Sequence, residues 1–517
     1  MTHAHTANHG SGGAHSDHGH ELTGLAKQIR VLDWESGMAK SRATRRDPRM
    51  PLLSASPGFN EYMKHGWGDA SRELRVEAGA AAAAAAHRAR LSAEFAGETL
   101  VITAGRSQLR VNDNFFEFRA DSDFLWLVGH GIEDAVLVMR PVAAGQGSDG
   151  AHDSTLYVTP PARPGDPAFH ADANHGELWV GPLAGIAEVE AALGVRTRVI
   201  GELQVADDAL IAGAAVVAKG SGAALDGKPR APKLARVLSE LRQIKDAWEI
   251  EQLRSANLAT IDGFAQVRRE IPRAIEAGGE RWLQGTFDRH ARTVGQAPGY
   301  ATIVGSGAHA PILHWVRADG EVHPEELLLL DMGIEMRSGY TADVTRTIPA
   351  SGTFSAAQRQ VHDLVEKSHR AGLAAVQPGR LWADFHAACM EVLAEGLHDW
   401  GMLPVSVDEA LSEGGQHHRR YIVCGVGHHL GLDVHDCDSS RYETYLGGTV
   451  QTGMALTVEP GLYFHAWDET VPPELRGIGV RIEDDLVVTE TGTQVISDAL
   501  PIDAEGLERW MAEQMRA

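Results

Sequence analysis

The chain has 517 residues, more than one hydrophobic core usually serves, so we expect about two to four domains. Lysine and arginine number 47 against 70 acidic residues, and the formal charge of −23 argues against nucleic acid or anionic membrane as the partner. The cysteines are sparse and odd in number, which argues against a disulfide framework and indicates a reducing compartment. Without an apolar run of about 18 residues or the apolar core of a signal peptide, we expect a cytoplasmic protein.

The first 86 residues show no sign of a core of their own. Residues 1–22 are rich in Gly, Ser and His, which is typical of a disordered tail, and a metal-scavenging histidine tract is the alternative. Residues 21–77 mix charged residues with isolated apolar ones, so we expect a helical arm lying over a domain. The alanine run at residues 80–86 opens a helix, because alanine has the highest helix propensity.

Residues 87–225 are expected to form an N-terminal α/β domain, because short strand-like segments alternate with helical ones. The aromatic residues of the segment 123–129, Phe124 and Trp126, are expected to pack in its core. A linker rich in Gly, Ala and Pro follows at residues 220–232. The expected strands lie at residues 99–105, 135–140, 154–159 and 196–201.

Residues 238–517 form the second expected domain. It opens with an amphipathic helix at residues 238–258, where apolar residues recur mostly at every third or fourth position. Helices continue to about residue 294 and return at residues 356–376 and 381–400. Strands are expected at residues 300–305 and 311–316, and residues 421–497 are interpreted as strand and loop. No internal repeat of fixed period is evident in the sequence.

A predicted β-hairpin in this domain holds two carboxylates in an apolar frame. Residues 327–336 and 340–348 have the pattern of strands, and residues 337–339, which include a glycine, form the loop. With that loop, Asp331 lies opposite Thr345, and Asp343 is on the same face as Thr345. The two aspartates are then diagonal neighbours, about 7 to 8 Å apart at the backbone. Like charges this close need a counter-charge, which a pair of divalent cations supplies.

Further strings along the domain contain residues that can bind metal or act on a substrate. They are ILHW with His314, GVGHHLGLDVHD with His428 and His435, TVEPGLY with Glu459, and GVRIEDDLVV with Glu483. Asp331, Asp343, His428, Glu459 and Glu483 offer four carboxylates and one imidazole, a set that suits hard ions such as Mn²⁺ or Mg²⁺. Two ions held close together lower the pKa of a shared water and polarise a carbonyl, which is the chemistry of amide hydrolysis.

Each of these residues alone has a simpler interpretation. A single Asp in a strand is more often a salt-bridge or hairpin partner, and a single His is more often a packed or surface residue. Glu459 precedes Pro-Gly and could mark a turn, and Glu483 could pair with Arg481. Five fitting residues, in order and within distinctive strings, favour a metal site over these alternatives.

The strings LLLLDMGIEMRSGYTADVTRTIP, HHLGLDVHD, TVEPGLY and GIGVRIEDD resemble motifs of the pita-bread metallopeptidases, most closely the Xaa-Pro aminopeptidases, or aminopeptidase P. The similarity covers about residues 238–497, with a weaker match of residues 122–129 to the N-terminal domain of that group. It implies an α+β chain in which a smaller α/β, creatinase N-terminal-like domain precedes a pita-bread, creatinase/aminopeptidase-like catalytic domain. It also implies metal-dependent release of the N-terminal residue from peptides with proline in the second position, by a metal-bridging hydroxide.

The resemblance implies two divalent metal ions, with Mn²⁺ the expected metal. Asp331 would bind one ion, and His428 with Glu459 would bind the other. Asp343 and Glu483 would bridge the two. Glu459 would also act as general base toward the bridging hydroxide.

The same resemblance assigns residues that bind no metal. His314 and His435 would contact the substrate and stabilise the tetrahedral intermediate. Tyr463 and Arg481 would support the site, and Arg481 would neutralise excess carboxylate charge. Because an N-terminal domain of this kind often makes subunit contacts in the family, we expect a homo-oligomer, either a dimer or a tetramer.

Three features depart from the family pattern. Asp331 and Asp343 are twelve residues apart, one more than is usual, and the extra residue is expected in the hairpin loop, so that the diagonal geometry requires the absence of a bulge. Cys424 stands four residues before His428, where the closest relatives have another histidine. Leu125 stands where an aromatic residue of the N-terminal domain often caps the pocket of a neighbouring subunit.

Two other functions remain open at this point. An Xaa-Pro dipeptidase on the same fold would have the same metal-site motifs, so those motifs do not separate it from an aminopeptidase. A catalytically silent pita-bread module that binds peptides is the alternative from another class. Such modules usually lose ligand residues, and this sequence keeps all five.

Overall fold

The computed structural model describes residues 53–112, 114–214, 225 and 228–516. The predicted His-rich tail, most of the predicted arm and most of the predicted linker lie outside the described residues. No helix in these ranges is long and apolar enough to cross a lipid bilayer.

Within the described residues the chain forms α-helices and short β-strands in the following order. The helices are α1 Pro57–Tyr62, α2 Ala80–Glu94, α3 Ser122–Val128, α4 Ala168–Ala171, α5 Glu177–Val180, α6 Ile186–Leu193, α7 Pro232–Arg242, α8 Ala247–Glu276, α9 Gly279–Val294, α10 Ala356–Ala375, α11 Trp382–Asp399, α12 Val407–Leu411 and α13 Ala504–Gln514. The strands are β1 Leu100–Thr103, β2 Leu109–Val111, β3 Asn114–Phe115, β4 Val136–Pro141, β5 His152–Val158, β6 Arg196–Val199, β7 Leu210–Gly213, β8 Ala297–Pro298, β9 Ile303–Ser306, β10 Leu327–Met332, β11 Ile334–Glu335, β12 Val344–Pro349, β13 Ala455–Val458, β14 Gly461–Tyr463, β15 Gly479–Arg481, β16 Asp484–Thr489 and β17 Gly492–Val495.

The chain divides into two compact units, and the smaller one combines the segment before residue 74 with residues 160–185. Its described part holds α1, α4 and α5. Arg72 donates two hydrogen bonds of 2.7 Å to the carboxylate of Glu177, which ties its two segments together. An edge-to-face contact between Trp67 and Phe169 adds apolar packing.

The larger unit begins with a five-stranded sheet in the order β6-β5-β4-β1-β7. β4 runs antiparallel to β1 and β5, whereas β7 and β6 pair with β1 and β5 in parallel. Phe124 and Trp126 of α3 are buried, which confirms the predicted packing of these aromatic residues. Asp121 is the N-cap of α3, and its carboxylate accepts the backbone N–H groups of Asp123 and Phe124 in the first turn.

The rest of the larger unit repeats one order of elements. A helix pair, α8 and α9, precedes the antiparallel sheet β12-β10-β9, and a second pair, α10 and α11, precedes the antiparallel sheet β13-β16-β17. A β-bridge between Thr345 and Glu483 joins the two halves. The sequence has no evident repeat of fixed period, because the halves share an order of elements and not a spacing.

The predicted single helix at residues 238–258 is wrong, because α7 ends at Arg242 and α8 begins at Ala247. The N–H of Lys245 donates to the carbonyl of Gly453, which takes the backbone out of the helical path. Asp246 then caps α8 in a reciprocal pair with Glu249. The predicted helices at residues 356–376 and 381–400 are confirmed as α10 and α11.

Two predicted strands also differ from the structure. Residues 311–316 form turns and loop instead of a strand, and Trp315 in this segment packs in the core. The long first strand of the hairpin divides at Gly333 into β10, which pairs with β9 and β12, and β11, which pairs with β8. A Cβ at Gly333 would lie 1.8 Å from the carbonyl oxygen of Ala342, so only glycine fits between the strands here.

Candidate active site

The hairpin sets the positions of the first two carboxylates. Asp331 pairs with Thr345, which confirms the predicted register. Glu335 pairs with Thr341 beyond Gly333, and this is the same register, so no bulge separates the two parts of the hairpin. Gly339, with a φ of 88°, closes the loop by donating its N–H to the carbonyl of Met336. The hairpin therefore meets the condition that the diagonal placement of the two aspartates requires, which is the absence of a bulge.

Asp331 and Asp343 share one hydrogen-bond donor. The hydroxyl of Tyr300 lies 2.7 Å from Oδ1 of Asp331 and 2.6 Å from Oδ1 of Asp343. A phenol has one proton, so it can satisfy only one of the two acceptors at a time. Burial and the charges of these two aspartates raise the pKa of Tyr300 well above its usual value, so the phenol keeps its proton.

His428 faces the same carboxylates from the second half. Its Nδ1 lies 3.0 Å from the carbonyl oxygen of His429. Because a carbonyl only accepts, Nδ1 carries a proton, and the lone pair of a neutral ring is then on Nε2. Nε2 lies 3.3 Å from Oδ2 of Asp343 and 3.5 Å from Oε1 of Glu459. Between these carboxylates Nε2 either carries a second proton and donates to them, or, as a neutral ring, offers its lone pair to a cation bound there.

Glu483 completes the cluster from the bridge between the halves. The hydroxyl of Thr345 donates to its Oε2 at 2.7 Å, whereas its buried Oε1 has no hydrogen-bond partner. Burial, together with the charges of Asp343, Glu459 and Asp331, raises the pKa of Glu483 well above its usual value. An unpartnered carboxylate oxygen inside a cluster of like charges is a costly arrangement unless a cation binds there.

The protonation of the neighbouring groups reflects the same excess of negative charge. Burial raises the pKa of Glu459 to about 7, with a further increase from Asp343, although the charge of His428 works against it. Burial lowers the pKa of His428, but the hydrogen bond to Asp343 and the charge of Glu459 outweigh this and raise it to about 9. Burial also raises the pKa of Asp331, although Arg481 opposes it.

The donor set fits divalent cations. Single ligand atoms of Asp343, His428 and Glu483 all lie within 4.8 Å of one another. Asp331 and Glu459 border this group, Asp331 through the shared Tyr300 hydroxyl and Glu459 through His428. Carboxylate oxygens with one imidazole nitrogen form a hard donor set of the kind that Mn²⁺, Mg²⁺ and related ions accept.

Arg481 supplies positive charge to this cluster. Its Nη2 donates to Oδ2 of Asp331 at 2.6 Å and its Nη1 donates to the hydroxyl of Tyr463 at 3.0 Å. Its Nε lies 3.2 Å from Oγ1 of Thr345. The side-chain hydrogen bonds of Arg481 thus go to Asp331, Tyr463 and Thr345, and they do not support the alternative in which Glu483 serves only as the partner of Arg481.

The two predicted substrate-contacting histidines lie at the exposed side of the cluster. His435 is exposed, and its ring lies edge-on to the ring of His428 with centroids 4.4 Å apart. His314 is also exposed, and it is close enough to His435 for its charge to lower the pKa of that ring, after the larger effect of burial. Cys424 is half-buried, and burial and the charge of Glu459 raise the pKa of its thiol.

Sequence reasoning did not identify several residues that shape this site. Tyr300 lies outside any strand, and an isolated tyrosine carries no signal of its role. Arg346 is completely buried and donates to the carbonyl of Glu483 at 2.6 Å and to the carboxylate of Asp484 at 2.7 Å. Asp485 accepts the backbone N–H of Asp343 at 2.9 Å. The signals available in the sequence were an arginine within the strand-like string VTRTIP and two further acids directly after Glu483.

Two other groups of histidine and carboxylate residues are present in the described part of the chain. One combines His87 with Asp246 and Glu249, and the other is His362 with Asp363 and Glu366 on α10. Protein partners already occupy these carboxylates. Asp246 and Glu249 cap α8, and the second pair forms ion pairs with arginines on the same helix. Neither group has the excess of carboxylate charge found around Glu483.

Comparisons with known proteins agree with this geometry. Residues 251–490 match metallopeptidase family M24, and residues 84–216 match the aminopeptidase P N-terminal domain. The Xaa-Pro aminopeptidase 2 of Streptomyces coelicolor is 45% identical over 474 residues, which cover 90% of this chain and 98% of that protein. The Xaa-Pro aminopeptidase of Escherichia coli is 32% identical and covers 80% of this chain and 94% of its own length.

Solved structures give the same result. An Escherichia coli aminopeptidase P variant in complex with substrate superposes with a TM-score of 0.71 at 27% identity, covering 86% of this chain and 100% of that one. A Pseudomonas aeruginosa aminopeptidase superposes with a TM-score of 0.69 at 28% identity and the same coverage. The predicted fold class is confirmed. The chain therefore belongs to metallopeptidase family M24, within its aminopeptidase P group.

Proposed function

We propose that this protein is an Xaa-Pro aminopeptidase that hydrolyses the bond between the first residue of a peptide and a proline in the second position. The observation that carries the proposal is the convergence of Asp331, Asp343, His428, Glu459 and Glu483 around one centre, in a chain whose relatives carry that name. The enzyme is a metal-dependent hydrolase, and peptides with proline second are its substrate class.

The proposed metal ligands are those that the family resemblance implies, and the positions of their side chains support the proposal. Asp331 would hold one divalent ion, His428 and Glu459 would hold the other, and Asp343 and Glu483 would contribute to both. Asp343 supports this central role, because it shares Tyr300 with Asp331 and faces Nε2 of His428. Two divalent ions, most suitably Mn²⁺, would neutralise the carboxylates, polarise the scissile carbonyl and make water a better nucleophile.

The other residues act on protons and on the substrate. Glu459 accepts the proton of the attacking water, because its raised pKa of about 7 suits a general base and its side chain, 19% exposed, is more accessible than those of Asp331, Asp343 and His428. His314 and His435 contact the peptide and stabilise the negative charge that develops on the carbonyl oxygen. Arg481 holds Asp331 and offsets part of the carboxylate charge, and it also positions the hydroxyl of Tyr463.

A series of peptides of increasing length tests the substrate assignment. The metal-loaded protein would be assayed on Xaa-Pro, on Xaa-Pro-Xaa and on longer peptides, with Xaa-Ala-Xaa as the matched control. We expect release of the first residue from Xaa-Pro-Xaa and longer peptides, and little cleavage of the alanine control. Cleavage confined to the dipeptide would instead identify a prolidase, and lack of cleavage with bound metal would indicate a peptide-binding module.

We also propose a domain organisation and an assembly. A tail and arm occupy residues 1–86, the N-terminal domain residues 87–225 and the catalytic domain residues 238–517. Matches at residues 84–216 and 251–490 support this division. The protein forms a homo-oligomer, a dimer or tetramer, which light scattering coupled to gel filtration would measure. A cytoplasmic location is supported by the free state of Cys389, Cys424 and Cys437.

A further inference from the structure

The loop that carries His435 has no regular secondary structure to hold it. Residues 431–436 form bends and turns. The backbone fixes its ends, because the carbonyl of Gly431 accepts from the N–H of Thr341, and the N–H of Asp436 donates to the carbonyl of His429. The position of His435 between these ends depends on side chains that come from elsewhere in the fold.

Two aspartates flank His435, and both bind Arg242. Asp436 is buried and pairs with Arg242 and, at 3.1 Å, with Lys245. Nη2 of Arg242 also lies 2.7 Å from Oδ2 of Asp433. Arg242 therefore holds the loop on both sides of His435 in the sequence.

Arg119 binds the same loop from the segment before α3. Its Nη2 donates to the carbonyl of Leu432 and lies 3.4 Å from Oδ1 of Asp433. Its Nε donates to Oε2 of Glu335 at 2.5 Å. Glu335 belongs to β11, the continuation of the strand that carries Asp331. One guanidinium group thus connects the loop of His435 with the aspartate hairpin.

A structural role in the N-terminal sheet alone does not explain these contacts. The side chain of Arg119 is 38% exposed, so it does not fill a core, and its acceptors on Glu335 and Leu432 lie 216 and 313 residues further along the chain. Ser122, close by in sequence, donates to Oδ1 of Asp433 at 2.6 Å and reinforces the same attachment. The segment from Arg119 to Ser122 lies within the region that matches the aminopeptidase P N-terminal domain.

We propose that Arg119 is a positioning residue for peptide hydrolysis, which holds the His435 loop at a fixed distance from the aspartate hairpin. The N-terminal domain thereby supports the active site of its own chain. This inference rests on the proposed role of His435 in stabilising the tetrahedral intermediate. Displacing such a group by about 1 Å lowers the rate by up to about 100-fold, even when the change lies away from the reacting atoms.

Substitution of Arg119 should therefore lower kcat more than it raises KM. We expect Arg119→Ala to lose at least about tenfold in kcat on an Xaa-Pro-Xaa tripeptide, with unchanged metal content and an unfolding temperature close to that of the parent. Arg119→Lys should recover part of the loss, because an ammonium group can bind Glu335 or the loop but lacks the planar fork that binds both. Arg140→Ala is the matched control, since Arg140 contacts Gln204 and Tyr157 within the N-terminal sheet region, and should stay within about twofold of the parent.

A double-mutant cycle with His435 decides whether Arg119 acts through that residue. In a His435→Ala background, Arg119→Ala should change kcat by less than about twofold, because the group that it positions is already absent. Equal losses in both backgrounds, or full activity of Arg119→Ala, would overturn the inference. Full activity of His435→Ala alone would contradict the proposed role of His435. This outcome separates a failure of the proposed function from a failure of the inference about Arg119. Should Arg119→Ala not fold, Asp433→Asn removes a charge from the other side of the contact and takes its place in the cycle.

Discussion

We predict that His87, a residue of α2, makes a large contribution to the way in which the stability of the folded protein changes with pH. Its side chain is 2% exposed, and its Nε2 lies 3.0 Å from Oδ2 of Asp246 and 3.5 Å from Oε2 of Glu249. Its Nδ1 lies 2.7 Å from the carbonyl oxygen of Trp126, whose ring stacks on the imidazole. The guanidinium of Arg90 lies over the ring of Trp126, 5.2 Å from its centroid. Both nitrogens thus face acceptors, which favours the doubly protonated ring.

The magnitude follows from the pKa of His87. Burial lowers it, but hydrogen bonds to Asp246 and Glu249 and the charge of Glu249 outweigh burial and raise the pKa from 6.5 to about 9. A raised pKa in the folded state means that the added stability is complete below about pH 6.5 and is lost as the pH rises through about 9. The difference corresponds to about 3 kcal/mol, which for a unit of this size is about 3 °C in Tm.

Thermal unfolding of the parent and of His87→Gln between pH 6 and 10 measures this effect. Glutamine stays neutral, so the Tm of the parent should exceed that of the variant at pH 6 by about 3 °C more than at pH 10. Other titrating groups affect both proteins equally and cancel in the difference. A Tm difference that stays constant over this range would refute the reasoning, because it would mean that His87 does not retain its proton in the folded protein.

Three predictions concern the metal centre. Asp343→Ala and Glu483→Ala should each lose both metal ions and hydrolysis, which elemental analysis and the tripeptide assay check, and retained hydrolysis in either variant would contradict the assignment of these residues to both ions. Thr345→Val removes the hydroxyl that donates to Glu483 and should weaken metal binding by about 10- to 100-fold, measured by titrating the metal-depleted protein with Mn²⁺. Removal of divalent ions with a chelator should lower Tm. Mn²⁺ at 100 times its Kd should then restore about 2.7 kcal/mol of stability for each bound ion, with buffer that lacks divalent ions as the control. An unchanged Tm would mean that no ion stabilises the carboxylate cluster.

The parts of the site that the sequence predicts are those encoded in short strings. The register of the aspartate hairpin follows from a three-residue loop that ends in Gly339, and pairing of Asp331 with Thr345 confirms it. Local alternation of apolar and polar residues does not reveal that Gly333 divides the first strand, because that break depends on the close approach of Ala342. The register of the hairpin is thus predicted correctly, although its first strand is shorter than predicted.

Contacts between distant segments account for most of what was missed. Apolar periodicity continues across residues 243–246, but the hydrogen bond of Lys245 to Gly453 breaks the helix there. The capping pair of Asp246 and Glu249 is a local signal of this boundary that apolar periodicity alone does not include. Tyr300 and Arg119 reach the site from segments with no motif, so only the folded chain reveals their partners.

The metal centre also requires contacts that hold its four carboxylates together against their mutual repulsion. Asp331, Asp343, Glu459 and Glu483 repel one another, and without support that repulsion would separate the two halves of the domain that supply them. Arg346 opposes this repulsion, because its guanidinium donates to the carbonyls of both Thr345 and Glu483, the two residues of the bridge between the halves.

Arg481 acts across the same bridge, since it extends from β15 in the second half to Asp331 in the first. Neither arginine contacts the unpartnered Oε1 of Glu483 or the Nε2 of His428, so both ligand atoms stay available to a cation. The fold therefore uses fixed positive charge to hold the carboxylates together while leaving at its centre the negative charge that divalent ions must neutralise. On this argument the ligands are preorganised, and metal binding completes a site whose shape the two arginines already maintain.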